Sequence, residues 1–316
     1  MALITVGEPL LERLVGHGEH DVFPYAVEQG TNRPLGPWSS VPDVHEKRFD
    51  ANGAGLPAAP GTSETLLVFG GDGPLGRDLF LRVLIGGRTS LLIAVGGALI
   101  ALGLGSVLGG IAGYFGGWVD AVIERLIESM AAFPLLLLVI VLGQASFADR
   151  LDDVTLGGRL GQGVVTVMLL VGFFTWFYAA RVVRAEFIRL REREFVEAAR
   201  MLGASDGRIM RSHLLPHVLP TLATIGLISL GTNVVLEAGI TFFGFGVTPP
   251  TVSWGTLISE TWGGTVFGQA GSGAPGSATT NTVWLTLFPC LAIFLTVLLA
   301  NLLADALREP TESVVP

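Results

Sequence analysis

The sequence predicts an all-α integral membrane protein, and three observations support this fold class. Of its 316 residues, 50% are hydrophobic and only 15% are charged, with a mean hydropathy of +0.61. This composition is too apolar for an ordinary soluble domain. Several apolar segments reach the roughly 20 residues that a membrane-spanning helix needs. The 43 glycines agree, because glycine is more frequent in membrane helices than in soluble ones.

The same composition excludes several functions. A net charge of −8 argues against nucleic acid as a partner. The single cysteine, Cys290, excludes an internal disulfide and a cysteine-cluster metal site. Lys47 is the only lysine, and no G-x-x-x-x-G-K-[ST] string occurs, so the usual phosphate-binding loop is absent. If ATP drives this protein, another polypeptide binds the nucleotide.

Residues 1–70 are predicted to be a polar, acidic N-terminal extension of unknown fold. Prolines and glycines interrupt this region, and none of its windows is apolar for long enough to span a membrane. The opening MALITVGEPLLERLVG lacks the basic start and continuous apolar core of a signal peptide. A soluble extension is therefore favoured over a short amphipathic helix on a membrane surface.

Five membrane spans are predicted along the rest of the chain. In the first, Gly105, Gly109 and Gly113 follow one another at intervals of four, which predicts close approach of another helix. The third ends in aromatic residues, which favour the headgroup level. The aromatic residues are Phe173, Phe174, Trp176, Phe177 and Tyr178. The predicted spans are 90–112, 121–143, 163–183, 218–239 and 283–304.

The second span begins with charged residues, which are acceptable near the water interface but costly at mid-bilayer. Arg125 and Glu128 are three apart and are expected to pair on one helix face, close to Glu124. This structural interpretation is favoured over a role in gating. Pro134 is expected to kink the helix or to leave a carbonyl group free.

The distribution of basic residues predicts the orientation. Residues 181–211 contain 8 of the 19 Lys and Arg residues, so the positive-inside rule places this loop in the cytoplasm. The turn at 114–120 and the C-terminal tail are then cytoplasmic. The segments outside are 144–162, 240–282 with a flexible insertion at 268–282, and the N-terminal extension.

Residues 191–220 predict a short helix-turn-helix with a charged rim. Ala198 and Ala199 favour a helix and have little bulk, so a partner could pack closely over them. Gly203 is expected to end this helix at positive φ. Asp206, or Ser205 as the competing choice, is expected to cap the next helix. A second amphipathic turn is expected to close at residues 215–216, which makes the segment a short rigid lever.

Over about residues 71–308, the sequence resembles the C-type permease subunits of oligopeptide and dipeptide ABC importers. The segment 197–216 matches the family's EAA motif, with histidine where many relatives have isoleucine. The motif positions expected to contact an ATPase are Glu197, Ala198, Ala199, Gly203, Ala204, Asp206, His213, Leu215 and Pro216. The other matching blocks are GGDGPLGRDLFLRVLIGGRTSLL, GYFGGWVDAVIERLIESMAAFPLLLL, LEAGITFFGFGVTPPTVSWGTLISE and FPCLAIFLTVLLANLLADALRE.

The resemblance implies a type I ABC importer permease fold for residues 71–308, with an EAA loop at 184–217 and a cytoplasmic tail at 309–316. It implies half of a translocation pathway for di- or oligopeptides in a bacterial or archaeal plasma membrane. The implied partners are a homologous B-type permease subunit, two ATPase subunits, an extracytoplasmic peptide-binding protein and membrane lipid. No catalytic, cofactor or metal residues are implied here, since the ATPase subunits would bind ATP and magnesium and hydrolyse the ATP.

Two departures from the family pattern are visible. The family normally has an additional first spanning helix, so a helix is expected to be either lost from the start or absent. Residues 176–178, Trp-Phe-Tyr, stand where the family has Trp-Pro-Gly, which removes a kinking element.

Alternative functions are a permease of the same family for nickel, glutathione or another small solute, and an ion-coupled secondary transporter. The transporter is disfavoured because the acidic residues fall toward span ends: Glu124, Glu128, Glu237 and Asp305. A membrane enzyme is also disfavoured. His213 and His217 are four apart, but Pro216 lies between them and no H-E-x-x-H string occurs.

Overall fold

The protein is described here from a computed structural model, which is mainly helical. The described residues are 17, 21–23, 26–28, 33–42, 64–72, 76–132, 134, 163–266 and 283–312. The helices are α1 (Leu79–Phe115), α2 (Gly117–Ala132), α3 (Val164–Arg191), α4 (Glu194–Met201), α5 (Asp206–Phe242), α6 (Trp254–Val266) and α7 (Val283–Glu312). The strands are β1 (Val27–Glu28), β2 (Arg33–Pro34), β3 (Ser39–Pro42), β4 (Glu64–Leu67), β5 (Gly71–Asp72) and β6 (Arg77–Asp78).

Four helices in the described part of the chain are long and apolar enough to cross a membrane, namely α1, α3, α5 and α7. The second predicted span, 121–143, is described only in its first part. There α2 is described as far as Ala132. The expected kink or free carbonyl at Pro134 stays a prediction, because the neighbouring residues lie outside the described ones. The predicted loop 144–162 and the insertion 268–282 lie outside the described residues.

Two helices extend into the predicted loop 184–217. Helix α3 continues to Arg191 without interruption at 176–178, and α5 already begins at Asp206. The expectation that a turn closes at 215–216 is wrong, because α5 continues through Pro216 and Pro220. A π-helical turn, Ile209–Leu214, ends two residues before Pro216. Such a turn relaxes the hydrogen-bond ladder where proline lacks an N–H to donate.

The chain divides into two compact units, and the first comprises Met1–Ser90 and Ala238–Phe294. Its described strands form three two-stranded antiparallel sheets, β1–β2, β3–β4 and β5–β6, with Ser39 opposite Leu67 in the second. A small apolar core lies beside them, made of Phe23, Ala26, Val41 and Leu67. Asp78 then starts α1, because its carboxylate accepts the backbone N–H groups of Phe80 and Leu81 as an N-cap.

A charge cluster that is buried except at Glu260, whose side chain is 33% exposed, lies in the same unit. Arg82 is only 2% exposed and pairs with Asp72 and Glu260, and Arg77 also bonds to both carboxylates at 3.0 Å. Burial alone would raise the pKa of Glu260, but the two guanidinium groups outweigh it and hold that pKa below its ordinary value. The cluster therefore joins β5 and β6 to α1 and α6 through ionised groups.

The second unit comprises Leu91–Glu237 and Leu295–Pro316. In it, the close helix approach predicted at the glycines of α1 is confirmed, and the neighbour is α3. A Cβ atom at Gly105 would lie 2.6 Å from that of Ala179, and one at Gly113 would lie 2.5 Å from the carbonyl oxygen of Arg184. At Gly109 an added Cβ would overlap the backbone of α3. The glycines thus allow two backbones to pack at a distance that other residues forbid.

The aromatic residues of α3 do not form one layer at the headgroup level. Trp176 and Phe177 are buried against α1 and α2 with Ile123 and Ile127, whereas Phe173 and Tyr178 are exposed. The prediction treated the run as a single group, but consecutive residues of a helix point in different directions. Only the exposed residues among these aromatic side chains can therefore lie at the headgroup level of a membrane.

Candidate coupling site on helices α4 and α5

The lever, defined here as residues 194–216, begins with the short helix α4. This helix ends in a Schellman motif: the N–H of Ala204 donates to the carbonyl of Ala199, and that of Gly203 donates to the carbonyl of Arg200. Gly203 has φ of 80°, so the predicted positive φ is confirmed. The glycine fixes the direction in which the chain turns toward α5.

The two alanines of the motif face different ways. Ala199 is 9% exposed and packs with Val196 and Ile209 inside the chain, whereas Ala198 and Glu197 are exposed. The expectation that a partner could pack over both alanines is therefore wrong for Ala199, whose methyl group lies against this chain. Ala198 and Glu197 remain on the outer surface.

The tip of the lever exposes two large apolar side chains. Met201 is 84% exposed and Leu202 is 88% exposed, immediately before the turn at Gly203. Sequence reasoning did not select them. The sequence feature that could have identified them is a pair of bulky apolar residues within an otherwise charged segment.

The buried side chains of the lever belong to a continuous apolar core. It draws residues from α1, α3, α4 and α5, and three of its members are completely buried in the lever itself, namely Val196, Ile209 and Leu214. The remaining members are Tyr114, Val183, Phe187, Leu190, Ala199, Val218 and Leu222. The tip is thus exposed while its base is fixed by packing.

The side chain of Asp206 does not cap α5 as predicted. Ser205 occupies the N-cap position, but its side chain makes no capping hydrogen bond, and Asp206 is the first residue of the helix. The Asp206 carboxylate instead accepts a hydrogen bond of 2.5 Å from the Tyr114 hydroxyl group at the end of α1. A carboxylate at this position also interacts favourably with the positive end of the α5 dipole.

Two arginines complete this joint between α1 and the lever. The guanidinium group of Arg200 lies 5.5 Å from the centre of the Tyr114 ring, in a cation–π arrangement. Arg191 donates to the carbonyl oxygens of Gly113 (3.1 Å) and Tyr114 (3.4 Å). A cation at these carbonyl groups stabilises the C-terminus of α1. Gly116, with φ of 66°, follows the last residue of this helix.

Helix α2 is tied to α3 by a further ion pair. Arg184 donates to both carboxylate oxygens of Asp120, at 2.5 and 2.8 Å, and lies 3.2 Å from Glu124. The hydrogen bonds from Arg184 hold the pKa of Asp120 below its ordinary value. The predicted pair of Arg125 and Glu128 is confirmed at 2.8 Å, on an exposed face.

The other motif residues lie where the lever joins the long part of α5. His213 and Leu215 are partly buried and Pro216 is exposed. The Nδ1 atom of His217 lies 2.6 Å from the carbonyl oxygen of His213, and its ring stacks on Phe195 of α4. Within the described ranges no group of three or more His, Cys, Asp or Glu side chains is arranged to hold a metal ion.

Comparison with solved structures identifies the fold of this molecule. A chain in a crystal structure of the MetNI methionine ABC transporter in an inward-facing conformation superposes with a TM-score of 0.51, covering 73% of this chain and 97% of that one. The two are 20% identical, so the likeness establishes the fold alone. The predicted fold class, an all-α membrane protein with a type I permease fold, is confirmed.

Sequence comparison then gives the family. Residues 105–310 match the family described as binding-protein-dependent transport system inner membrane component. The oligopeptide transport system permease protein OppC of Haemophilus influenzae is 33% identical over 255 residues, covering 80% of this chain and 72% of that protein. The glutathione transport system permease protein GsiD of Pectobacterium atrosepticum is 34% identical over 235 residues, covering 74% and 69%. This chain belongs to that family of permease subunits, which are not themselves enzymes.

Proposed function

We propose that this protein is the permease subunit of an ABC importer that carries di- or oligopeptides across a plasma membrane, with the lever on the cytoplasmic side. It forms half of the translocation pathway, and a homologous B-type permease subunit forms the other half. Two ATPase subunits bind and hydrolyse ATP with magnesium. An extracytoplasmic binding protein delivers the peptide.

The exposed tip of the lever carries the proposal for ATPase coupling. Burying two large apolar side chains stabilises a complex by roughly 1.5–3 kcal/mol each. Met201 and Leu202 are almost fully exposed at the C-terminal end of α4, and the opposite face of this helix is packed in the core. A protein surface that presents apolar residues on a rigid support is suited to a hydrophobic cleft in a partner.

The peptide substrate is supported by the names of the relatives. Several are named oligopeptide or peptide permeases, including OppC of Haemophilus influenzae and OppC of Mycobacterium bovis, both 33% identical. The similarity to a glutathione permease keeps a modified tripeptide among the candidates. Uptake of labelled oligopeptide, dipeptide and glutathione by vesicles containing the assembled transporter would distinguish them.

The docking proposal is tested by co-purification of the ATPase with a tagged copy of this chain. Leu202→Asp places a charge on the apolar tip and is expected to reduce the recovered ATPase by at least about tenfold, the factor for roughly 1.4 kcal/mol. The matched control is Arg193→Asp, which adds the same carboxylate at the N-cap of α4. That change favours the helix and should leave recovery unchanged.

Equal recovery with Leu202→Asp and wild type would refute docking through the tip. Equal loss with both aspartate variants would indicate that added negative charge, and not loss of the apolar contact, prevents assembly.

A further inference from the structure

Tyr114 occupies the joint between α1 and the lever. It is the next-to-last residue of α1, and its ring is buried in the apolar core that supports the lever. Its hydroxyl group donates to Asp206, and its ring faces Arg200. One side chain of α1 therefore contacts both the end of α4 and the start of α5.

The backbone around Tyr114 is fixed independently of this side chain. Arg191 of α3 binds the two carbonyl groups at the end of α1, and Gly113 packs against the backbone of α3 at Arg184. The end of α1 thus moves together with α3. These contacts do not fix the position of the lever relative to α1 and α3.

Apolar packing alone does not fix a register, because the hydrophobic effect is not directional. A hydrogen bond to a carboxylate is directional and roughly twice as strong as one between neutral groups. The bond from Tyr114 to Asp206 joins residues 92 positions apart in the chain. It ties the first residue of α5, directly after the turn of the lever, to the end of α1.

We propose that Tyr114 is a positioning residue that locks the lever to the α1–α3 pair, so that displacement of the lever moves these helices. The inference rests on the proposed function, since it requires that an ATPase displaces the lever. The inference adds to that function the helices that move with the lever, namely the α1–α3 pair. Tyr114 acts through Asp206 and itself touches neither nucleotide nor transported solute.

The test uses Tyr114→Phe in the complete transporter reconstituted in vesicles. This change removes the hydroxyl group and keeps the ring in the core, so the ATPase should co-purify in the wild-type amount. The ratio of ligand-stimulated to basal ATP hydrolysis is expected to fall by about tenfold, the order expected for losing a hydrogen bond to a charged group. The matched control is Tyr178→Phe, the same change at an exposed tyrosine of α3, which should leave the ratio unchanged.

A double-mutant cycle gives the second readout. Asp206→Ala should reduce the ratio as Tyr114→Phe does, and the double variant should be no worse than either, because both remove one bond. Asp206→Asn keeps an acceptor oxygen and should restore most of the ratio. A wild-type ratio in Tyr114→Phe, or losses that multiply in the double variant, would overturn the inference while leaving docking intact. If no ATPase co-purifies with the wild-type chain, the proposed function itself fails.

Discussion

Replacing Gly203 with alanine should loosen the end of α4 without creating any steric clash. Gly203 has φ of 80°, and a Cβ atom added there would meet no other atom within 4 Å. The cost is therefore that of the backbone conformation alone, about 1–2 kcal/mol for a residue with a side chain in the left-handed region. This corresponds to roughly a 5- to 30-fold increase in the population of the opened turn.

Hydrogen exchange at the amide of Ala204 measures this opening directly, because that N–H donates to Ala199 in the closing bond of α4. Gly203→Ala should speed its exchange by the factor given above, and Gly203→Asn by less, because asparagine enters the left-handed region more readily. Gly207→Ala is the matched control: this glycine also has open space around an added Cβ, but its φ is not positive.

The Gly207→Ala control should have the opposite effect and stabilise the protein. Alanine at Gly207 adopts the native backbone without strain and restricts the unfolded chain, which stabilises by about 0.4–1 kcal/mol. Unchanged exchange in Gly203→Ala would refute the reasoning, as would equal acceleration in both alanine variants.

Three further outcomes are expected. Gly109→Ala should lower the thermal stability of the protein in detergent by about 1–3 kcal/mol through overpacking against α3, whereas Gly103→Ala, which meets open space, should not. Because Arg184 depresses the pKa of Asp120, the ionised pair adds stability above the carboxyl's ordinary pKa of about 4. This stability is lost as pH falls through the lower folded-state pKa, so the difference in melting temperature between wild type and Asp120→Asn should vanish in acid. Arg82→Met removes the buried cation between two carboxylates that Arg77 still contacts. It should therefore cost up to about 3 kcal/mol in denaturant unfolding, no more than the lower end of the range for breaking a buried ion pair.

Sequence patterns predicted the features that depend on a few neighbouring residues. The lengths of the apolar runs identified the long helices, and the spacing of Gly105, Gly109 and Gly113 identified a close helix contact. That spacing could not name α3 as the partner, because any helix would satisfy it. The positive φ of Gly203 was predictable because glycine after a short helical segment commonly ends that helix.

Features that depend on distant residues were missed. Asp206 follows a turn, where an acidic side chain normally caps a helix, and only the fold brings Tyr114 near enough to compete for it. Helix α4 has eight residues, too few for a periodic pattern to show that Ala199 points inward. Pro216 indicated a helix end, yet the π-helical turn before it lets α5 continue. A charge at Ala199 is accordingly expected to disrupt the core under the lever, so it is a poor probe of docking.

The shortness of α4 bears on how force would pass through the lever. An isolated helix of eight residues is not stable in water, because helix nucleation is unfavourable and few bonds follow it. Its order must come from the burial of Val196 and Ala199 against α1, α3 and α5. Unwinding α4 would expose these side chains, which costs roughly 1.5–3 kcal/mol for a residue such as Val196. A force applied at Leu202 therefore encounters the whole packed cluster, and moving the supporting helices becomes favourable over deforming the lever alone.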